Sequence, residues 1–270
     1  LLSFTLSELY LKYLGDRTRN NRALTKKDYE ELGRVVGSIT QRANQEYDQL
    51  VQEDPAYKDT IRRVMLRMIS LQGGELARRQ VPKSELVYPD EKENKRVQTV
   101  IKRFSEARLI VEGSNSQGEP YVEPAHDALV QGWDKLLAWK KEDEENLILQ
   151  QRLTPAAQEW KTVTSKLKPS DWQTKAENVT DWLDSILYVP ENVFNKVNVW
   201  LIRRRQQKQN QQKSSREKPI QFLWNSNPYL DVLNQRLQIH NNWFNQVETE
   251  FVQQSVLQKR RNISWRWRIT

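Results

Sequence analysis

Two glycines, Gly113 and Gly118, have the spacing of a Walker A loop, the motif that holds nucleotide phosphates. A working loop needs Lys and then Ser or Thr after its second glycine, because those side chains reach the phosphates and the magnesium ion. This sequence has Glu119 and Pro120 there. The segment also lies between two β-prone runs, whereas a Walker loop joins a strand to a helix. We therefore predict a hairpin turn here and no phosphate-binding loop.

The residues needed for other common chemistry are scarce. The chain has 2 His and no Cys, which excludes disulfides, thiolate catalysis and Cys-based zinc sites. His126 and His240 lie in unrelated segments, and metal sites draw several ligands together. The sequence also lacks the Gly-x-Ser-x-Gly pattern that exposes a serine nucleophile. We predict no catalytic residues, no metal site and no enzyme activity for this chain.

The net charge of +8 is concentrated near the carboxyl end. Residues 200–270 contain thirteen Lys and Arg but four Asp and Glu, which leaves the rest of the chain close to neutral. Hydrophobic residues make up 37% of the chain, and its 10 Trp argue against wholesale disorder, because large aromatic rings need burial. No run of about 18 apolar residues is present, so the sequence predicts no membrane-spanning helix.

Hydrophobic periodicity predicts a mainly α fold with one short β-hairpin. We divide the chain into five parts, described here in order. They are a helical domain, a winged-helix domain, a helical extension, a polar and basic linker, and a C-terminal helical segment that ends in Trp and Arg, at residues 1–54, 55–141, 142–200, 201–219 and 220–270.

The second part has the element order of a winged helix-turn-helix. An apolar stripe over 61–69 predicts a helix that Gly73-Gly74 stops, residues 81–86 suit a brief helix, and 93–106 a third helix. Two β-prone runs within 109–122 then flank the glycine-rich turn and predict the hairpin, or wing. After the wing we expect one helix from about His126 to Lys141, then a helix over 147–160 that Thr154-Pro155 interrupts.

Several short motifs resemble the segment that follows the nucleotide-binding domain in bacterial STAND NTPases, particularly cyanobacterial ones with WD repeats. The likeness covers residues 1–160, and 242–261 more loosely. The motifs are Leu1 to Tyr10, Leu24-Thr25 with Asp28-Tyr29, Arg79 to Pro82, Ala107 to Ile110, Val122 to Trp133 and Arg152 to Trp160.

The resemblance implies an ATP-driven switch whose nucleotide-binding core would precede Leu1. In that family a histidine at the start of the helix after the wing contacts the β-phosphate of ADP, and Ala125-His126-Asp127 is the matching stretch here. A histidine there can present an N–H beside the unpaired backbone donors of the helix, and Asp127 can cap the same end. The alternative is that His126 only caps the helix and packs on the wing. We expect no cofactor in this chain itself, with ATP or ADP bound by the intact protein.

The implied function is non-catalytic regulation. The winged helix would control a nucleotide-dependent switch by pressing on the nucleotide-binding domain. Partners would therefore be that domain and other protein domains, in the cytoplasm.

A DNA-binding winged-helix regulator is the leading alternative. The candidate recognition helix has four cations that could contact phosphates, namely Lys95, Arg96, Lys102 and Arg103. Charge is nearly balanced between residues 59 and 140, whereas DNA-binding modules usually concentrate basic residues on one face. The charge pattern therefore argues against nucleic acid as a partner.

A membrane-associated adaptor is the second alternative. Residues 259–270 mix Lys and Arg with Trp265 and Trp267, a composition common at membrane interfaces. This tail would give weak peripheral membrane contact.

Overall fold

Helices form most of the described structure, and short strands interrupt them in two places. The computed structural model describes residues 1–15, 23–72, 75–165, 219–239 and 242–266. These residues fall into two compact units. The larger contains Leu1–Thr154 and Pro228–Gln253, and the smaller contains Pro155–Asn227 and Gln254–Thr270. The mainly helical class predicted from the sequence is confirmed. The predictions for residues 166–218, including the linker, lie outside the described residues.

Three helices begin the larger unit: α1 (Leu2–Gly15), α2 (Lys26–Glu31) and α3 (Arg34–Glu53). Thr25 caps α2 through a capping box, in which its hydroxyl accepts from the Asp28 amide and the Asp28 carboxylate accepts from the Thr25 amide. Gly33, with a φ of 75°, separates α2 from α3. That left-handed conformation suits glycine, because it has no Cβ to clash.

The next helix, α4 (Tyr57–Arg67), is followed by a hairpin that the sequence analysis missed. Strands β1 (Ile69–Gln72) and β2 (Glu75–Arg78) pair in antiparallel fashion, with Gln72 opposite Glu75. The predicted helix over 61–69 therefore ends two residues early. A Gly-Gly pair between two β-prone runs is a standard hairpin signal, so the signal was present in the sequence.

The strands of a second, three-stranded sheet come before and after the longest helix of the region predicted to be the winged helix. Its parts are β3 (Val81–Pro82), a 3-10 helix η1 (Lys83–Leu86), α5 (Glu91–Glu106), β4 (Ile110–Ser114) and β5 (Pro120–Pro124). The strand order is β3-β5-β4, and Ile110 to Ser114 pair with Pro124 to Pro120. The predicted hairpin is thus confirmed, whereas the brief helix predicted at 81–86 begins as a strand.

The hairpin turn is closed by local bonds rather than by a ligand. The Asn115 side-chain oxygen accepts from the backbone amides of Gln117 and Glu119 at 2.9 Å each. Gly118 takes a φ of 81°, the left-handed conformation that glycine adopts without strain. Gly118 therefore serves the turn, as predicted, while Gly113 lies in β4 opposite Tyr121.

Helices α6 (Asp127–Gly132), α7 (Asp134–Glu142) and α8 (Glu144–Ser165) follow the sheet. The prediction of a single helix from His126 to Lys141 was wrong, because the helix is interrupted at Trp133. This side chain is fully buried, and its indole Nε1 donates to Asn44 Oδ1 of α3 at 2.9 Å. The predicted interruption at Thr154-Pro155 was also wrong, since α8 continues through Pro155.

One hydrophobic core holds the larger unit together, with side chains from α3, α4, α5, the three-stranded sheet, α6 and α7. Its largest fully buried members include Trp133, Phe104 and Leu109. Helix α9 (Tyr229–Leu237) and the first part of α10 (Gln246–Arg266) belong to the same unit. In the smaller unit, a 3-10 helix η2 (Pro219–Gln221) precedes Trp224, whose amide donates to the Ser255 hydroxyl at 3.1 Å.

Within the described ranges, no helix is long and apolar enough to cross a membrane.

Candidate functional site

The hairpin β4–β5 delivers the chain directly to the start of α6. The Ala125 amide donates to the Leu109 carbonyl at 2.9 Å, which extends the strand pairing one residue beyond β5. His126 then adopts an extended backbone (φ −145°, ψ 142°) and occupies the N-cap position of α6. The residues between the wing and this helix are therefore held in place on both sides.

The His126 side chain does not cap the helix. It makes no hydrogen bond to the backbone amides of α6, and its half-buried ring packs edge-on against Phe4 of α1, with 6.4 Å between ring centroids. His126 is therefore the N-cap residue of α6, as the alternative expected, but only through its backbone, and its ring packs against Phe4 of α1. The first backbone amides of α6 therefore donate no hydrogen bond to the imidazole ring.

The environment of His126 lowers the pKa of its imidazole below the ordinary value. Burial is the largest cause, and the positive charge of Arg78 acts in the same direction, while Asp127 opposes the shift. A histidine with a lowered pKa is neutral at pH 7, so it offers one N–H donor and one nitrogen acceptor. It can bind an anion through that N–H without carrying a charge itself.

Arg78 of β2 organises the neighbouring backbone. Its Nε donates to the Asp127 carboxylate at 2.8 Å, and its Nη1 donates to the carbonyls of Pro124 and Ala125 at 3.2 and 3.3 Å. This one side chain thus fixes the turn that precedes His126 and neutralises Asp127. Sequence reasoning missed Arg78, because the hairpin that positions it was not predicted and Asp127 lies 49 residues away in the chain.

The four cations proposed for DNA contact do not form one exposed face. Arg103 is directed towards α3, where it contacts Glu46, Gln49 and Glu53 at 3.2, 2.7 and 3.4 Å. Arg96 pairs with Glu93 of its own helix at 2.7 Å.

The remaining two cations, Lys95 and Lys102, are exposed, and Lys102 lies 4.0 Å from Glu106. Three of the four proposed cations therefore already lie within 4.0 Å of carboxylates of the same chain.

No group of three or more metal-ligating side chains occurs within the described parts of the chain.

The described residues thus form a mainly helical body in which a β-hairpin leads to a histidine at a helix start. Residues 1–167 match the family described as Novel STAND NTPase 1. The matched region covers more than half of the chain, which therefore belongs to this STAND NTPase family. No curated protein and no solved structure matches the chain at a significant level.

Proposed function

We propose that this chain is a non-catalytic regulatory segment of a STAND signalling NTPase, in which a winged helix controls a nucleotide-dependent switch. Helix α4, strand β3 with η1, helix α5 and the hairpin β4–β5 follow one another in winged-helix order. The sheet order β3-β5-β4 also fits, because the last strand of the wing lies in the middle. Membership of the STAND family supports the assignment to a switch protein.

The nucleotide would be held by a domain that this chain does not contain. The one glycine pair with Walker spacing belongs to the β4–β5 hairpin, so the phosphates of ATP or ADP would bind elsewhere in the intact protein. The partner of the winged helix is then a nucleotide-binding domain of the bacterial, WD-repeat-associated type, in the cytoplasm. Residues 1–54 would end the NTPase module, and 55–141 would form the regulatory domain.

His126 would contact the β-phosphate of ADP. The observation that carries this proposal is the position of His126 as N-cap of α6 with a side chain that makes no capping bond. Its N–H is therefore available beside backbone amides that need an acceptor, and a phosphate oxygen satisfies both kinds of donor. The pairing of Arg78 with Asp127 removes the charge repulsion that a free carboxylate would cause there.

ADP retention tests this contact when the chain is expressed together with a nucleotide-binding domain of its family. His126→Ala should accelerate ADP dissociation by about 10-fold to 100-fold, the range expected for loss of one hydrogen bond to a charged group. His126→Gln keeps an N–H donor and should retain part of the effect. Lys95→Ala on the exposed face of α5 is the control. An unchanged dissociation rate in His126→Ala would remove the phosphate role.

A further inference from the structure

A buried group of charges joins the C-terminal segment to the winged-helix region. Arg67, at the end of α4, is 1% exposed, and the carboxylates of Glu85 and Glu248 beside it are 2% and 0% exposed. Arg67 and Glu248 are 181 residues apart in the chain. Such charges are costly to bury unless they are paired and hydrogen-bonded.

Arg67 binds the Glu248 carboxylate through both terminal nitrogens of its guanidinium group. Its Nη1 and Nη2 donate to the two Glu248 oxygens at 3.1 and 2.7 Å, a bidentate pair. The remaining donors reach Tyr88 Oη, Glu85 and the Trp243 carbonyl at 3.2, 3.2 and 2.8 Å. Burial opposes the charge on Arg67, but Glu248 and its other neighbours hold its pKa above the ordinary value. Arg67 therefore stays charged near neutral pH.

Glu85 remains ionised as well. Burial alone would raise the pKa of its carboxyl group, but hydrogen bonds from Arg79 and the charge of Arg67 hold it below the ordinary value. Arg79 donates to both Glu85 oxygens at 2.7 Å. Arg79 thus gives Glu85 two hydrogen bonds, and Arg67 is the cation that pairs with Glu248 on this surface.

The segment that supplies Glu248 presents the start of a helix. Asn245 and Glu248 exchange bonds across the first turn of α10: the Asn245 amide donates to Glu248 at 2.9 Å, and the Glu248 amide donates to the Asn245 side chain at 2.8 Å. The rest of this turn bonds to the backbone around η1. Asn245 Nδ2 donates to the Glu85 carbonyl at 3.0 Å, and the Gln246 amide donates to the Val87 carbonyl at 2.8 Å. The recognised feature is thus a helix start with Asn and Glu three residues apart.

Two clefts that open to solvent line the seam between this segment and the rest of the unit. A cavity of about 220 Å³ lies between Trp243 and side chains of α4 and α8, including Arg62 and Gln150. A second, of about 390 Å³, lies between Phe244 and Thr249 on one side and Arg63 and Tyr88 on the other.

Two buried polar atoms at this seam, Trp243 Nε1 and Thr249 Oγ1, have no hydrogen-bond partner among the described residues. A contact with cavities, unsatisfied polar atoms and a specific ion pair resembles a docked interface more than a folding core. The family match also ends at residue 167, before this segment.

We propose that the surface formed by Arg67, η1 and Tyr88 is a docking site for a helix start bearing Asn and Glu, and that residues 242–253 occupy it as an exchangeable intramolecular ligand. The occupant is the chain's own segment. The proposal does not depend on the nucleotide contact of His126, because it concerns a different surface and different residues. Releasing the segment would uncover Arg67 to water, where its charge is well solvated.

Thiol labelling of the full chain can detect this release. The sequence has no Cys, so one introduced thiol reports from one position. Thr249→Cys places a thiol at the seam and loses no hydrogen bond to a described residue. Ser70→Cys is the matched control, because the Ser70 hydroxyl of β1 is also buried without a partner but does not line either seam cavity. A chromogenic disulfide reagent gives the rate at each position.

Adding Glu248→Gln should raise the labelling rate of the Thr249→Cys thiol by more than about tenfold, because Arg67 then loses a charged partner whenever the segment is docked. The rate at Ser70→Cys should change by less than about twofold, a difference smaller than one weak hydrogen bond would cause. Equal acceleration at both positions would show that the whole unit opens together and would overturn the proposal. No acceleration at Thr249→Cys would overturn it as well.

A synthetic, N-acetylated peptide of residues 242–253 supplies the second arm. At saturating concentration it should accelerate labelling of the Thr249→Cys thiol in the otherwise unchanged chain, since it captures the site whenever the internal segment leaves. The same peptide with Gln in place of Glu248 is the control and should have little effect. If both peptides leave the rate unchanged, the segment does not exchange and the docking proposal is wrong.

Discussion

At the scale of single residues, His126 combines a fixed backbone with a side chain that makes no capping bond. The strand pairing before it and the helix after it determine where the ring lies. This position could be predicted from the sequence, because the hairpin and the helix start are local features within about twenty residues of each other. The neighbouring Arg78, which pairs with Asp127, could not be predicted, since this pair joins two elements with no local signal in common.

The lowered pKa of His126 predicts a pH dependence of stability. The folded protein binds a proton at this site less readily than the unfolded chain, so the unfolded state takes up more protons as the pH falls below about 6.5. The free energy of unfolding should therefore fall as the solution is acidified from neutral pH through the folded pKa, and then level off. Thermal unfolding of the unchanged chain and of His126→Gln, measured between pH 7.5 and pH 5 in the same buffers, checks this.

His126→Gln should show a smaller loss on acidification, because glutamine does not titrate there. His240 is present in both proteins and cancels in the comparison. Parallel curves for the two proteins would show that burial does not disfavour the charged imidazole.

At the scale of elements, the close approach of α6 to α3 explains why the helix after the wing is short. A Cβ on Gly132 would lie 2.6 Å from Val36 Cγ1, well inside van der Waals contact. Directly after it, Trp133 leaves the helix and enters the core beside Tyr47 and Trp139. Periodicity alone indicated one continuous helix, because the residues on both sides of the break are compatible with helix. The break is caused by tertiary packing, which no local pattern contains.

Gly132→Ala should destabilise the larger unit despite the higher helix propensity of alanine. Overpacking typically costs about 1–3 kcal/mol, and the propensity gain offsets at most about 1 kcal/mol of that. Val36 is branched at Cβ and lies in a helix, so its side chain has little freedom to move aside.

A double-mutant cycle measured by chemical unfolding separates the two effects. With Val36→Ala present, Gly132→Ala should become neutral or stabilising, because the contact that blocks the methyl group is gone. If the losses of unfolding free energy from the two substitutions simply add, the contact between residues 132 and 36 is not the source of the strain.

At the scale of the whole molecule, the larger unit is assembled from two stretches of chain that Pro155–Asn227 of the smaller unit separate in sequence. Sequence reasoning described the order of helices and the hairpin, because each has its own periodicity or turn residues. It did not bring Glu248 to Arg67, since complementary charges occur throughout a chain that is 29% charged, and nothing marks the correct pair. What distinguishes Arg67 and Glu248 is that both are buried, and their burial exists only once the unit has folded.

The ion pair therefore predicts that one substitution has different costs in different contexts. In the full chain, Arg67→Met leaves Glu248 buried without its cation and should cost about 3–5 kcal/mol of unfolding free energy. In a fragment of residues 1–167, which lacks Glu248, the same substitution should cost clearly less, because Arg67 is then open to water. Urea unfolding of the four proteins measures the difference. An equal cost in both contexts would mean that Glu85 and Tyr88 alone account for the role of Arg67.

The separation of 181 residues between Arg67 and Glu248 also has a consequence for biosynthesis. Ribosomes add about 5–20 residues per second, so Arg67 is added to the chain about 10–35 seconds before Glu248. Throughout that interval the guanidinium of Arg67 must be hydrated, and its binding surface is open to any other polypeptide with a similar helix start. The nascent chain is thus exposed to competition from neighbouring copies in a polysome, until its own carboxyl-terminal segment arrives.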